Sequence, residues 1–461
     1  MYRQNNLTKG NVVKQLVIFA LPFVLSNLIQ TLYNVADMIV VGQFSGTISM
    51  SGVNIGGQVT LIMTQLAVGL NTGATVLIAQ AIGAEKHKQL QKIISTLLTS
   101  LLIMAVIMTV LMLLLHTSIL KVIKTPPESF QDAQNYLIIT AIGTVFIFAY
   151  NALSAIMRGM GDSRTPLYFI AIACFTNVVL DLLFVGGFKM GAAGAGIATV
   201  ISQAFSVILC IIYLIKRKFV FDFHIRSFGI DMLQLKAILK LGIPISVQNL
   251  IGSVSFLFIT MLVNSYGVTA SAAVGAVGKY NGFAILPVIA MNAAISTMCA
   301  QSLGAGNEER ARKTCFTGMI ISILLSYSFF IFTLLFPEEI LGAFTKDKEL
   351  IRVGVVYLRA FSIDYCLVPF SFSLNGLFIG AGHSTYSLFT NIMSGIIVRM
   401  PMAYLFSHIF GLGLFGVGLA VPSATFCSIV LNLWFLLSGR WRKRTIHFEE
   451  LPEAGDSCCE E

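Results

Sequence analysis

The chain has 461 residues, of which 56% are hydrophobic and only 11% are charged, and its net charge at pH 7 is +9. Soluble domains carry about a quarter of charged residues, so this composition excludes an ordinary soluble protein. It indicates a protein whose surface faces lipid along most of its length.

Apolar stretches long enough to cross a bilayer recur along the whole chain. About 20 residues, at 1.5 Å rise per residue, span a hydrocarbon core of about 30 Å. Beta-barrel strands would instead alternate apolar and polar residues over about ten positions, and these stretches do not. We therefore predict an all-α polytopic membrane protein with twelve transmembrane helices in two pseudo-symmetric six-helix bundles. The approximate spans are residues 16–41, 53–79, 93–115, 135–157, 166–187, 193–215, 238–265, 273–300, 314–336, 353–378, 386–408 and 413–437.

The second half of the chain repeats the first. "RGMGDSRTP" from Arg158 aligns with "IGAGHSTYS" from Ile379, and "GAAGAGIAT" from Gly191 aligns with "GLFGVGLAV" from Gly413. Internal repeats of this length are typical of transporter folds. We predict an N-terminal lobe of residues 1–218, a C-terminal lobe of residues 219–445 and a disordered acidic tail of residues 446–461. The clearest matched pairs are Pro22 with Pro244, Asn27 with Asn249, Gln80 with Gln301, Gly83 with Gly304 and Lys92 with Lys313.

The Lys and Arg residues indicate the orientation in the membrane. With both termini in the cytoplasm, 21 of the 30 Lys and Arg residues fall on the cytoplasmic side, as the positive-inside rule requires. The positive net charge is therefore a topology signal, and we expect no nucleic-acid partner. We expect a multi-pass protein of the cell (plasma or inner) membrane.

Three acids lie well inside apolar spans: Asp37, Asp181 and Asp364. A charged side chain at mid-bilayer costs on the order of 3 kcal/mol on insertion scales. Keeping an Asp neutral at pH 7 costs about 4 kcal/mol. Because the two costs are similar, such an acid can alternate between neutral and charged forms, as a carrier of protons or cations requires.

Two further oxygen-bearing residues accompany Asp181. Asn177 lies four residues earlier, so both side chains project from one face of helix 5, and Thr199 in helix 6 adds a hydroxyl. An all-oxygen set suits Na+ or a proton and argues against zinc or copper. We predict that Asp37, Asn177, Asp181 and Thr199 form a coupling site for H+ or Na+, with no other cofactor. The alternative is that Asn177 and Thr199 are interhelical hydrogen-bonding residues.

Two other features allow a structural or a functional interpretation. Pro22, fifteen residues before Asp37, removes a backbone hydrogen bond from helix 1, so it forms either a hinge or a static kink. Arg399 lies deep in an apolar stretch, and a structural ion pair between Asp364 and Arg399 would neutralise both. A functional role for either residue is the alternative.

The segments "LYNVADMIVVG" around Asp37, "RGMGDSRTP" after helix 4 and "NVVLD" in helix 5 resemble those of the multidrug and toxic compound extrusion (MATE) family. The duplicated "AQAIGAE" and "AQSLGAG" strengthen this resemblance, which covers nearly the whole chain. It implies two bundles around a central cleft and export of lipophilic cationic compounds in exchange for H+ or Na+. It also implies an N-lobe cation site, matched here by Asp37, Asn177, Asp181 and Thr199, with Pro22 as the helix 1 proline. Helix 7 lacks the acid that some members carry there.

Amide, aromatic and methionine side chains in both halves are candidates for a substrate cleft, because such mixed surfaces suit promiscuous binding. Packing is the alternative role for each of them. The candidates are Gln30, Tyr33, Asn34, Gln58, Met63, Gln65, Lys279, Tyr280, Asn281, Met291 and Asn292.

Three functions remain open. The leading one is alternating-access antiport that exports organic cations and other drugs, by a protein that acts as a monomer among membrane lipids. A flippase for lipid-linked precursors would favour a cationic central cavity. An integral membrane enzyme with Asp37 and Asp181 as acid and base is disfavoured because the loops are short. The chain has no Walker loop, so an ion gradient must supply the energy.

Overall fold

A computed structural model describes residues 6–442. The predicted tail, with Cys458 and Cys459, lies outside the described residues. The described part is helical and contains no strand. Its helices are α1 Val12–Gly83, α2 His87–Val122, α3 Pro127–Ile142, α4 Thr144–Gly159, α5 Arg164–Asp181, α6 Gly191–Lys216, α7 Met232–Asn264, α8 Val268–Ala284, α9 Leu286–Gly304, α10 Glu308–Leu335, α11 Pro337–Gly342, α12 Lys348–Ser362, α13 Asp364–Gly380, α14 Ser384–Ile392, α15 Met400–Tyr404 and α16 Gly413–Leu437. Wider π-helical turns occupy Leu182–Gly187, Met393–Arg399 and Leu405–Ile409.

The predicted all-α polytopic fold is confirmed. Within residues 6–442, nine helical segments are long and apolar enough to cross a membrane, and the bent pairs α3–α4 (52°) and α12–α13 (40°) add two more. One of the nine is α1, whose 72 residues would extend about 108 Å if straight, more than three times the hydrocarbon thickness. It turns back at Gly46 and so supplies two spans, which brings the total to the twelve predicted.

The internal repeat is visible in the backbone. The first and second spans of the two halves are separated by Gly46 (φ 79°) and by Gly267 (φ 97°), in a conformation that favours glycine. These two glycines are separated by the same offset as Gln80 and Gln301. The bend of the fourth span likewise recurs in the tenth. The two halves therefore follow the same path.

The first helix of each half begins inside the opposite lobe. Near the start of α1, Leu16 and Phe19 are buried with Ile295 and Met298 of α9. Near the start of α7, Ile238 and Leu241 are buried in the core of the first half, formed mainly by the second limb of α1 (residues after Gly46) with α2 and α4. Burial of these apolar side chains holds the two lobes together on one side. We call it the termini side, because α1 begins there at Val12 and its second limb returns there at Gly83.

The connector between the lobes is bound along α2. Ser95 Oγ donates to the Ser227 carbonyl oxygen (2.7 Å), and Thr96 Oγ1 accepts from the Asp231 N–H (3.1 Å). Lys92 Nζ lies 3.2 Å from Asp231 Oδ2. Three successive contacts therefore hold the connector to the first lobe before α7 begins.

Asp231 caps α7, and its loss should destabilise the termini side. Its Oδ1 accepts from the N–H groups of Leu233 (3.0 Å) and Gln234 (3.2 Å). Partial burial raises the pKa of Asp231, but these N–H groups and Lys92 lower it more, so the pKa lies below its ordinary value. The stabilisation is therefore present above about pH 4 and is lost as pH falls through the folded-state pKa. We expect Asp231→Ala to lower the free energy of unfolding by about 1 kcal/mol at pH 7.

Thermal unfolding of the detergent-solubilised protein at fixed pH checks this expectation. Asp231→Asn is the matched control, because an amide oxygen still caps the helix while the charge is removed. If Asp231→Asn lowered the stability as much as Asp231→Ala does, the cap would not be the source of the effect.

Candidate functional site

The four predicted coupling residues converge inside the first lobe. Asp37 lies on the first limb of α1, Asn177 and Asp181 lie on α5, and Thr199 lies on α6. The exposed fractions are 6% for Asp37, 0% for Asn177 and Asp181, and 8% for Thr199. The four-residue spacing of Asn177 and Asp181 places both on the same helix face, as the sequence predicts.

Hydrogen bonds order these residues around the two acids. With the amide oriented by its partners, Asn177 Nδ2 donates to Asp181 Oδ2 (2.8 Å) and Asn177 Oδ1 accepts the Thr199 N–H (3.3 Å). The carboxyl groups of Asp37 and Asp181 are close enough to interact electrostatically, and Oδ1 of each is buried without a hydrogen-bond partner among residues 6–442. Two carboxyl groups can share a hydrogen bond only when at least one carries a proton. The two buried acids are therefore a candidate site for one exchangeable proton.

Two tyrosines complete the cluster. Tyr33 OH donates to Thr199 Oγ1 (3.0 Å), so Tyr33, a predicted cleft residue, also belongs to this cluster. Tyr136 on α3 lies near Thr199 and has an exposed fraction of 7%. The sequence did not single out this residue. Tyr136 and Tyr357 are separated by the same number of residues as the repeat partners Gln80 and Gln301. A tyrosine at the same position of both halves was the sequence signal that could have identified Tyr136.

Pro22 lies where α1 passes from one lobe to the other. The turns before it, with Phe19 and Ala20, are buried in the core of the second lobe. Further along the same helix, Asp37 is buried in the first lobe. Ser26 Oγ donates to the Pro22 carbonyl oxygen (2.8 Å), while the ring leaves one helical carbonyl without its usual N–H partner. The weakest point of the first limb of α1 is therefore located between the two lobes.

A central cavity of about 720 Å³ lies between the lobes. Phe19 and Phe23 of α1 border it on one side, and the second lobe supplies most of the remaining wall. Of the predicted cleft residues, Gln65 and Asn292 line this cavity. The wall consists mainly of amide and hydroxyl side chains with a few phenylalanines, a surface that fits amphiphilic molecules of varied shape.

The structure corrects the predicted role of several cleft candidates. Met63 and Met291 are core residues, with exposed fractions of 6% and 3%. Tyr280 OH is bound to Thr333 Oγ1 (2.8 Å) within the second lobe. The remaining candidates are exposed or half-buried residues that do not border the central cavity: Gln30, Asn34, Gln58, Lys279 and Asn281.

The predicted ion pair of Asp364 with Arg399 is not formed. Within residues 6–442, the ion pairs are Lys92 with Asp231 and Arg442 with Glu308. The Arg399 guanidinium instead lies 4.6 Å from the centre of the Phe256 ring. The pairing prediction is wrong because the guanidinium group of Arg399 contacts the ring of Phe256 and the hydroxyl of Ser255, and no carboxylate oxygen in the described part of the chain lies within ion-pair distance.

A layer of reciprocal contacts closes the cavity on the termini side. Gln80 Nε2 donates to the Gly380 carbonyl oxygen (2.9 Å), and Gln301 Nε2 donates to the Gly159 carbonyl oxygen (3.2 Å). Each glutamine thus reaches from its own half into the other. Thr75, little more than one helical turn before Gln80, already lines the cavity. The layer therefore separates the cavity from the termini side.

The family model described as MatE matches residues 22–183 and 244–405, one copy in each half. The chain belongs to the MatE family. Both matched segments begin at the paired prolines, Pro22 and Pro244. The duplication that defines this MatE chain is therefore the one seen in its sequence and backbone, and membership identifies a multi-pass membrane transporter and not an enzyme.

Individual relatives match this MatE chain over almost its full length. It is 30% identical to the "Probable multidrug resistance protein YpnP" of Bacillus subtilis, over 96% of this chain and 99% of the relative. A solved structure titled as the outward-facing conformation of a multidrug resistance MATE family transporter superposes with TM-score 0.89 at 25% identity, covering 96% and 99% of the two chains. A MATE structure in the bent conformation gives TM-score 0.88 at 26% identity, covering 94% and 96%.

Proposed function

We propose that this MatE chain exports lipophilic, mostly cationic drugs across the cell membrane by antiport with H+ or Na+. The observation that carries the proposal is the buried pair of carboxyl groups, Asp37 on α1 and Asp181 on α5, which lie together inside the first lobe. The name of YpnP, a probable multidrug resistance protein, supports multidrug efflux. The transporter acts as a monomer with both termini in the cytoplasm, so the Gln80 and Gln301 layer closes the cavity toward the cytoplasm.

The ion enters when the cavity is open to the outside. A proton neutralises the acid pair, or Na+ binds to the carboxylate oxygens with Thr199 Oγ1 as a further oxygen ligand. Either ion removes repulsion between Asp37 and Asp181 and draws α1 toward α5. The strain on α1 is released at Pro22, between the lobes. Solved MATE structures titled as bent and as straight conformations support a change between two conformations. Bending of α1 at Pro22 then makes the central cavity smaller and releases the drug.

Efflux from proteoliposomes with independently imposed gradients tests the coupling. The full chain is reconstituted, ethidium is loaded, and pH and sodium gradients are applied one at a time and together. We expect ethidium movement to follow one of the two gradients and to stop when that gradient is collapsed with an ionophore. Movement that depended on neither gradient would remove the antiport proposal.

A second candidate, translocation of lipid-linked precursors, is favoured by one specific observation. The central cavity contains two arginines, Arg158 and Arg399, that fit a phosphate-bearing head group. A fluorescent polyprenyl phosphate in the inner leaflet of the same proteoliposomes distinguishes the two functions. Gradient-dependent movement of that lipid without ethidium transport would favour the flippase.

A further inference from the structure

The charged residues that line the central cavity are all cationic. Arg158 at the end of α4 and Arg399 in the eleventh span border it, and the described lining includes no Asp, Glu or Lys. The remaining polar wall is formed by neutral amides and hydroxyls, such as Asn292, Asn391 and Thr425. In a cavity with few mobile counter-ions, two guanidinium groups produce a positive potential that attracts anions.

Arg399 has donor capacity that the protein leaves unused. Its Nη1 donates weakly to Ser255 Oγ (3.4 Å), and its guanidinium lies over Phe256. Its Nε is buried and has no hydrogen-bond partner in the described residues. Asp364, the acid predicted to pair with it, is close enough to act on Arg399 electrostatically, but it forms no ion pair within residues 6–442 and does not border the cavity, so it occupies none of the donors on the cavity side. Arg399 is half-buried, and a buried N–H group such as its Nε is costly to leave unpaired, so a ligand that accepts from it would be favoured.

Other buried polar atoms around the cavity are also unpaired. Both side-chain polar atoms of Asn71, and Oε1 of Gln248, have no partner in residues 6–442 although all are fully buried. Both residues border the cavity together with Arg399. Buried polar groups in native structures are normally hydrogen-bonded, so unpaired groups from several helices around one cavity indicate a binding surface.

The repeat explains how the two lobes acquire opposite charge. Gly191 and Gly413 are repeat partners, and Arg399 precedes Gly413 by the same interval as Asn177 precedes Gly191. The position that orients an acid in the first lobe therefore carries a cation in the second. The second lobe thus retains the scaffold of the first and carries a cation where the first has a neutral amide.

The neighbours of these two positions are also related by the repeat. Ser255 and Tyr33 are repeat partners, because they are separated by the same number of residues as Pro244 and Pro22. Ser255 contacts Arg399, and Tyr33 contacts Thr199. A small hydroxyl residue therefore takes the place of a tyrosine beside the arginine.

We propose that the central cavity binds the oxyanion head group of an amphiphile, a carboxylate or a phosphate, at Arg399. The apolar body of the ligand lies against Phe19, Phe23 and Phe256. Arg158, whose guanidinium lies 5.3 Å from the centre of the Phe23 ring, supplies a second cation toward the termini side. The inference rests on the proposed export function and extends its substrates from cations to zwitterions and organic acids.

Equilibrium binding to the full chain in phosphatidylcholine nanodiscs tests this proposal without any ion gradient. The probes are dansylaminoundecanoic acid, its methyl ester and the corresponding long-chain dansyl amine, followed by fluorescence anisotropy. We expect the acid to bind at least about ten-fold more tightly than the ester. We expect Arg399→Gln to abolish that preference without changing amine affinity, and Arg399→Lys to retain part of it.

Arg359→Gln is the matched control, because it removes the same charge from an exposed position in the same lobe, outside the cavity. Equal affinity of wild type for acid and ester would overturn the proposal, and this comparison remains decisive even if Arg399→Gln fails to fold. An equal loss of affinity for all three probes in a folded Arg399→Gln variant would also overturn the proposal.

Replacing part of the phosphatidylcholine by phosphatidylglycerol identifies the source of the oxyanion. If phosphatidylglycerol weakens binding of the acid to wild type but not to Arg399→Gln, the oxyanion is a lipid phosphate. If phosphatidylglycerol leaves binding of the acid unchanged, the oxyanion belongs to a free amphiphile. Either result supports an oxyanion site. Loss of ion-driven ethidium export with intact acid binding would remove the proposed antiport and leave this site standing.

Discussion

Asp37→Asn and Asp181→Asn should each abolish ion-coupled export while leaving a folded, inserted protein. Both side chains are buried, and asparagine has nearly the same volume and retains hydrogen-bonding capacity. An amide does not ionise at physiological pH, so it can neither carry a coupled proton nor balance the charge of Na+. We expect gradient-driven ethidium efflux to fall by at least about 100-fold, since the coupled step would no longer distinguish the ion-bound from the ion-free protein.

Asp364→Asn provides the matched control for these substitutions. Asp364 is as buried as Asp37, with an exposed fraction of 6%, but lies in the second lobe on α13. We expect this variant to fold and to retain gradient-driven export. Full export by Asp37→Asn, or equal loss in all three variants, would show that the acid pair of the first lobe is not the coupling site.

Thermal shifts separate loss of coupling from loss of structure. Each variant is purified in detergent, and its unfolding temperature is measured at two pH values and with added Na+. Wild type should be stabilised by whichever ion it couples, because a ligand that binds only the folded state shifts unfolding by mass action. Asp37→Asn should lose that ion-dependent shift while keeping a cooperative transition.

Much of the fold and of the acid cluster was predictable because it depends on local sequence. Hydropathy determines the length of each span, and the twelve predicted spans correspond to the observed ones. The spacing of Asn177 and Asp181 places them on one helix face whatever the rest of the protein does. A carboxyl group inside an apolar span needs polar neighbours, so the approach of Asp37 to Asp181 was a reasonable expectation.

Long-range packing was not predictable from those patterns. Burial of the start of α1 in the opposite lobe depends on surfaces of α9, which belongs to the other half of the chain. The Asp364 and Arg399 pairing failed for a related reason. Both residues have the right charge and depth, but contact requires helices 10 and 11 to present them to each other. Arg399 is directed instead toward Phe256, and charge pattern alone contains no information about that rotation.

Duplication with altered charge gives the transporter two chemically different halves on one scaffold. The first lobe has paired acids, and the second has a half-buried arginine, Arg399, at the position equivalent to Asn177. A symmetric protein would bind the same ion or head group on both sides of its cleft. The altered second copy instead allows one half to respond to the ion while the other contacts the transported molecule.

Gly304→Ala should open the termini side of the cavity. A Cβ atom at Gly304 would lie 2.2 Å from the Gln80 carbonyl oxygen, and one at Gly83 would lie 2.0 Å from the Gln301 carbonyl oxygen. Backbone atoms cannot relieve such overlaps locally, so the two helix ends must separate. That separation pulls apart the reciprocal bonds of Gln80 and Gln301 as well. We expect the population to shift toward a state whose cavity is open to the termini side.

Labelling of a cavity residue measures this shift. In a background lacking reactive native cysteines, Ser296→Cys places a thiol on the cavity wall, on the same helix as Gln301. An impermeant maleimide should reach it from the termini side at least about ten-fold faster in Gly304→Ala than in the parent, since about 1.4 kcal/mol of bias suffices. Gly278→Ala on α8 is the matched control, because a Cβ atom there meets nothing within 4 Å. Unchanged labelling in a folded Gly304→Ala would mean that the glycine contact does not hold the cavity closed, whereas faster labelling from the termini side would assign the closing layer to Gln80, Gln301 and their paired glycines.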